Sequence, residues 1–323
     1  MYKKAVYEKA VDEIVKNAKH KKALYNEQKL NIYKENPELS EIDEILLALG
    51  PKIGLAAISG NKKLLTEYKE KAKALSDKKE AVLKKYPNFK MVYNCKKCED
   101  TGYINGAYCF CVYEKAKQIA KKEFLAENCC EEFTFENFDL KYYPETVRAG
   151  VTKIFEFVKN YALNFNTFGK NSKESQGKSS APSGNLLFMG GTGLGKTHLS
   201  LSIANVVINK GYGVLYGSAD NLLRGAEKEY FSFSNNSEKT DELLNTDLLI
   251  IDDLGAEFKT KYTQSIVYNV INTRILKKKP TVISTNLTID ELEEIYTPRI
   301  ASRIIGNFTV KELRGEDIRQ LKL

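Results

Sequence analysis

No stretch of this chain stays apolar for anything near the ~18 residues that a membrane-spanning helix requires. The opening residues, Met1-Tyr2-Lys3-Lys4, lead into a charged amphipathic run and not into the apolar core of a secretory signal. The expectation is a cytoplasmic protein without a membrane partner. Tryptophan is absent, from which nothing follows. Histidine is scarce, with two in 323 residues, and His20 sits among lysines as a surface residue. Cysteine is limited to six, four of them clustered at Cys95, Cys98, Cys109 and Cys111. In a cytoplasmic chain such clustering points to a metal before it points to disulfides. Cys129 and Cys130 lie beyond the cluster and read as packing or incidental residues.

What is present describes an ordinary globular chain, 42% hydrophobic and 28% charged, with room for about two domains. Its charge is unevenly placed. Residues 1–90 hold 20 Lys against 13 Asp/Glu, whereas the remainder holds 30 Lys/Arg against 29 Asp/Glu. An acidic partner surface, a nucleic acid, or a plain solvated lysine face would each account for the excess.

Apolar residues at helical spacing (Val6, Ala10, Ile14, Ala18, then Leu64, Tyr68, Ala72, Leu75) make residues 1–86 all-helical. One helix is expected over Ile42–Leu49, stopped by Gly50-Pro51. No catalytic constellation falls in these helices. Residues 1–90 therefore read as a partner-docking region, with a plain scaffold as the alternative.

Residues 91–128 hold the cysteines and a basic linker helix. The spacing is C-x₂-C, ten residues, C-x-C, with a two-residue hairpin signal at Asn105-Gly106. Such a hairpin folds the second pair onto the first, giving the closed tetrahedral Cys₄ set of a structural Zn²⁺. Reduced free cysteines and an iron–sulfur cluster are the alternatives.

Residues 129–323 carry the chemistry. Gly190-Gly191-Thr192-Gly193-Leu194-Gly195-Lys196-Thr197 is a complete phosphate-binding loop between a short buried strand, Leu186–Met189, and a helix marked by Leu199, Ile203 and Val207. Its backbone N–H groups would surround a polyphosphate, Lys196 would reach the β- and γ-phosphates, and the Thr197 hydroxyl would sit on Mg²⁺. Leu248-Leu249-Ile250-Ile251-Asp252-Asp253 is a buried strand ending in paired carboxylates. Asp252 would hold Mg²⁺, and Asp253 would orient or deprotonate the attacking water. Asn286, the polar end of the strand Thr281–Asn286, would help place that water. Phe135 and Phe138 would anchor a connector or brace the nucleotide base. The polar stretch 166–184 reads as a flexible insertion within this domain. The expected fold is α/β, a parallel sheet with helices on both faces.

Together these segments resemble the AAA+ ATPases of the bacterial helicase-loader clade, which includes DnaC, DnaI and the IstB transposition ATPase. The resemblance rests on the phosphate loop, Leu248–Leu254, Ser284-Thr285-Asn286, Arg299–Arg303 and the terminal Gly315-Glu316-Asp317-Ile318-Arg319. It implies sensor 1 at Asn286, an arginine finger for a neighbouring subunit at Arg303 with Arg299 as runner-up, and sensor 2 at Arg319. It further implies ATP, Mg²⁺ and Zn²⁺ as cofactors, a homo-oligomer formed through the ATP site, single-stranded DNA, and a hexameric replicative helicase held by the N-terminal part. The implied function is ATP-dependent loading of that helicase at replication initiation. A transposition ATPase and a non-hydrolysing, ATP-switched DNA-binding adaptor are the rivals. The sequence departs from the family at Asp253, where many members carry the longer Glu, which suits slow turnover. Only 37 residues follow Asn286, too few for a full helical lid.

Overall fold

The N-terminal apolar pattern is drawn out into three helices, α1 (Lys4–Glu35), α2 (Glu38–Ile58) and α3 (Lys62–Leu83). The computed structural model describes residues 2–128, 133–165, 184–231, 238–258 and 260–321. The expected insertion at 166–184 (apart from Gly184) and the Cys129-Cys130 pair lie outside them. Asn61 caps α3 by accepting the Leu64 N–H at 3.2 Å. Helix α2 corrects an expectation: it runs through Gly50-Pro51 instead of stopping there. Pro51 removes one helical N–H donor. Leu49 and Ala56 are nonetheless buried on either side of it, and α2 packs along α3. Burial on both flanks outweighs one lost backbone bond.

Two compact units form. One comprises Glu8–Tyr113; the other joins the first seven residues to Glu114–Leu323. In the first unit, Ile32, Leu39 and Val82 make a small core, with Tyr33, Tyr86 and Phe89 packed on it. A short antiparallel ribbon, β1 (Tyr103–Ile104) and β2 (Ala107–Tyr108), turns at Asn105-Gly106 as expected. Helix α4 (Phe110–Asn128) follows directly.

The second unit is built on five parallel strands. In chain order its elements are α5 (Glu145–Leu163), β3 (Leu186–Met189), α6 (Lys196–Asn209), β4 (Val214–Ser218), α7 (Ala219–Phe231), α8 (Glu238–Asn245), β5 (Leu248–Asp252), α9 (Lys261–Leu276), β6 (Thr281–Thr285), α10 (Ile289–Asn307), β7 (Thr309–Glu312) and α11 (Ile318–Leu321). The strand order is β4-β5-β6-β3-β7. Strand β3 lies between β6 and β7, while its sequence successor β4 starts at the far edge. The chain therefore reverses direction beside β3, and a crevice opens at the carboxyl ends of the strands.

Strands β3 and β5 are buried along their whole length, because helices cover both faces. Leu187, Met189, Leu249, Ile251 and Ile283 face a core shared with α7, α8, α9 and α10. By the two-residue alternation of strands, Leu186, Phe188, Leu248 and Ile250 face the opposite side, where α6 packs and α5 lies on α6. A fully buried cation ties this unit together. Arg274 is fully buried, and its guanidinium donates to Thr281 Oγ1 and to the carbonyls of Leu243, Thr246 and Pro280 at 2.6–3.1 Å. Burial drags its pKa down to about 9, so it stays charged at neutral pH.

Candidate functional site

The loop after β3 wraps the first turn of α6. Gly193 has φ 72°, and a Cβ there would lie 1.7 Å from an Asp317 carboxylate oxygen, so only glycine fits this backbone against the C-terminal segment. That segment is fastened to the loop: Leu313 N–H donates to Met189 O at 2.8 Å and Ile318 N–H to Gly193 O at 3.2 Å. Tyr143 closes the other flank, its hydroxyl donating to Leu194 O at 2.9 Å.

Lys196 is buried and donates from Nζ to Gly190 O, Gly191 O and Asn286 Oδ1, each at 2.7 Å. Burial holds its pKa below the ordinary lysine value, against the opposing pull of Asp253 and Asp252. Thr197 Oγ1 donates to Asp252 Oδ2 at 2.9 Å. Asp252, at the end of β5, also accepts the Tyr216 hydroxyl at 2.9 Å and the Ser284 hydroxyl. Asp253 turns outward, exposed, and accepts from Asn286 Nδ2 at 3.0 Å. A cavity of about 380 Å³ opens over this corner, lined by Thr192–His198, Asp253, Asn286 and Arg319 and walled by Phe133, Phe138 and Tyr142. Its volume lies within the usual range of a small-ligand pocket.

Residues 179–320 match the family model described as IstB-like ATP binding protein. This stretch is thus similar to IstB-like ATP-binding proteins. The "Replicative helicase loader DnaC" of Escherichia coli (strain K12) is 32% identical over 124 residues, covering 38% of this chain and 50% of that protein. The protein of the same name from Buchnera aphidicola subsp. Baizongia pistaciae is 29% identical over 189 residues, covering 57% of this chain and 66% of its own length. The chain thus spans about half to two thirds of the length of these curated relatives. A solved structure titled "Crystal structure of the DnaC helicase loader" aligns with a TM-score of 0.47 at 19% identity, over 58% of this chain and 99% of that one.

Within the matched stretch, Asp253, Asn286 and Arg319 line one cavity with the phosphate loop, and Asp252 stands behind Thr197. Arg319 forms a two-bond pair with Asp317 at 2.8 and 3.0 Å, which fixes its guanidinium beside Gly193. Arg303 does not line this cavity; its guanidinium lies 5.7 Å from the Tyr268 ring centroid, and Arg299 is exposed. Phe138 walls the cavity, whereas Phe135 is buried against Phe155. Two residues that hold Asp252 were missed by sequence reasoning. Ser284 belongs to the Ser284-Thr285-Asn286 motif, which by itself assigns it no role. Tyr216 sits in β4, and only its place beside the end of β5 would have pointed to it.

In the unit Glu8–Tyr113, the four clustered cysteines converge, their sulfurs all within 4.8 Å of one another. Cys95–Cys109 and Cys98–Cys111 are 3.7 and 3.5 Å apart. A tetrahedron of thiolates at the usual Zn–S length has edges of about 3.8 Å, so the set fits that ion. Asp100 is buried and accepts the N–H groups of Asn94 and Cys95 at 2.9 and 2.7 Å, which shapes the first knuckle. The backbone N–H of Cys98 leads in lowering the Cys95 thiol to about 7, while burial raises Cys98 and Cys111.

Proposed function

We propose that this protein is an ATP-dependent loader of a replicative DNA helicase onto single-stranded DNA. The carrying observation is the meeting of Thr197 and Asp252 at 2.9 Å beside Lys196, in a domain homologous to proteins named helicase loaders. The phosphate loop would hold ATP, and Thr197 with Asp252 would hold Mg²⁺, which when bound would supply positive charge to the transferring phosphoryl group. Water attacks the γ-phosphorus, the bond to the bridging oxygen breaks, and ADP and phosphate leave. Asp253 orients the water and takes its proton, while Asn286 holds Asp253. Lys196 and Arg319 stabilise the charge on the transferring group, and a neighbouring subunit supplies Arg303, with Arg299 as the second choice. The shorter Asp253 carboxylate goes with slow turnover.

ATP so bound favours a homo-oligomer that grips single-stranded DNA. Arg224, whose guanidinium lies 5.4 Å from the exposed Phe258 ring, and Lys228 are the contacts favoured for the strand. The helices of the first 90 residues and the module at 91–128, its four cysteines holding Zn²⁺, dock the helicase.

The deciding experiment is turnover with and without single-stranded DNA, together with co-purification with a hexameric helicase. Stimulation by the strand and capture of the helicase are expected. ATP binding without turnover in either condition would leave only an ATP-switched adaptor. The family description also favours a second reading, a transposition ATPase acting on duplex DNA. Capture of a transposase instead of a helicase would select it.

A further inference from the structure

The loop that leaves Asp253 is a tight, hydrogen-bonded turn. Leu254 N–H donates to Ser284 O at 2.8 Å and Ala256 N–H to Asp253 O at 3.1 Å. Gly255 has φ 106°, and a Cβ there would lie 2.4 Å from the Leu287 side chain. The turn ends at Glu257, which is 5% exposed. One of its carboxylate oxygens accepts the Gly255 N–H at 2.8 Å; the other accepts the Tyr296 hydroxyl. Among the described residues, no lysine or arginine pairs with it. A buried carboxylate held only by a hydroxyl and an amide is an expensive way to pack a core.

Its partner stands at a break. Helix α10 is two helices merged across Thr297, whose φ of 74° and ψ of 150° suit glycine and not a β-branched residue. Pro298 follows, starting the second half at the position where a missing N–H is harmless. The first half is clamped just before the break. Tyr296 is buried against Glu257, and Gln264 of α9 donates to Ile295 O at 2.6 Å. The second half buries Ile300, Ala301 and Ile304 and carries Arg299 and Arg303, one helical turn apart. The strained joint sits between the clamp and the two arginines.

We propose that Glu257 and Tyr296 are positioning residues which fix the direction of the arginine-bearing half of α10 from the loop that begins at Asp253. The arginine offered to a neighbour is thereby tied to the metal side of its own subunit. This rests on the reading of Arg303 (or Arg299) as reaching a neighbouring nucleotide.

The test mixes two chains in equal amounts with ATP and Mg²⁺. One carries Lys196→Ala and donates its arginine; the other carries Arg303→Ala and binds ATP. The control pair is expected to regain turnover that neither chain has alone. Adding Tyr296→Phe to the arginine donor is expected to cut that turnover at least about fivefold, and adding it to the ATP-binding chain to change it less than about twofold. Thr297→Gly, which relieves the strained backbone and so does not threaten folding, is expected to show the same asymmetry. Absence of rescue in the control pair overturns the inter-subunit arginine and this proposal with it. Rescue in the control pair, with both substitutions costing the same in either chain, overturns this proposal alone.

Discussion

The phosphate-loop corner and the cysteine module each gather four or more functional groups from separate segments, but by opposite means. The corner is carried by five parallel strands whose central members are wholly buried, and its groups hold one another: Thr197, Tyr216 and Ser284 on Asp252, Asn286 on Lys196 and Asp253. The cysteine module has a ribbon of two residues per strand, and its hairpin residues Tyr103 and Ile104 are exposed. On the proposed zinc reading, four sulfurs would do there what a hydrophobic core does elsewhere. A scaffold-held site keeps its shape without its ligand; a ligand-held site does not.

Removing the proposed zinc is the strongest way to test that contrast. Chelation, or Cys98→Ser, is expected to forfeit binding free energy on the order of 10 kcal/mol and to unprotect the amides of residues 95–112 in hydrogen exchange. The melting of the ATP-binding unit should stay put. Metal analysis of the parent protein, purified reduced and without chelator, should give more than about half an equivalent of zinc per chain; less would erase the comparison.

Lys196→Ala probes the other side. It is expected to lower ATP affinity and turnover by about a hundredfold or more while the circular-dichroism melt barely moves. A large loss of fold would mean that this corner, too, depends on its occupants. Gly193→Ala is a subtler intrusion, forcing a side chain onto Asp317 at a left-handed φ. A destabilisation of about 1 kcal/mol is expected, with weaker nucleotide binding as Arg319 loses its seat. The double variant with Asp317→Ala should relieve the clash but not the backbone cost, and denaturant titration separates the two.

The smallest effect concerns the helices of the first unit. Burial disfavours the ionised Asp43, but the hydrogen bonds from Lys79 and Tyr33 outweigh it and hold its carboxyl below the usual range. A carboxyl depressed on folding adds stability above its unfolded pKa and loses it as pH falls through the folded one. Asp43→Asn should therefore flatten the acid dependence below about pH 4, by well under 1 kcal/mol because the pair is partly solvated. Acid titration of the helical signal checks it.

Much of this was legible because local signals agreed with tertiary context. The buried run Leu248–Asp252, the glycines at 190–195 and the Asn105-Gly106 turn each state their structure within a few residues. Helix α5 (Glu145–Leu163) is legible too, because its inward residues Val151, Phe155 and Val158 repeat at helical spacing. What was not legible depends on partners far away in sequence. Pro51 reads as a stop, and only packing on α3 carries the helix past it. Tyr216 and Ser284 come from neighbouring strands, so sheet order alone assigns them to Asp252. The break at Thr297 leaves no local mark beyond Pro298.

The caged Arg274 sets a rule for anyone who would redesign this domain. Its acceptors lie at the end of α8, just beyond it and at the start of β6, so the corner where α8, α9 and the start of β6 meet is fastened by one planar cation. A lysine there would arrive with a point charge and too few N–H groups, and carbonyls would be left facing nothing. Grafting α9 onto another sheet without those acceptors would carry an orphan charge into its interior.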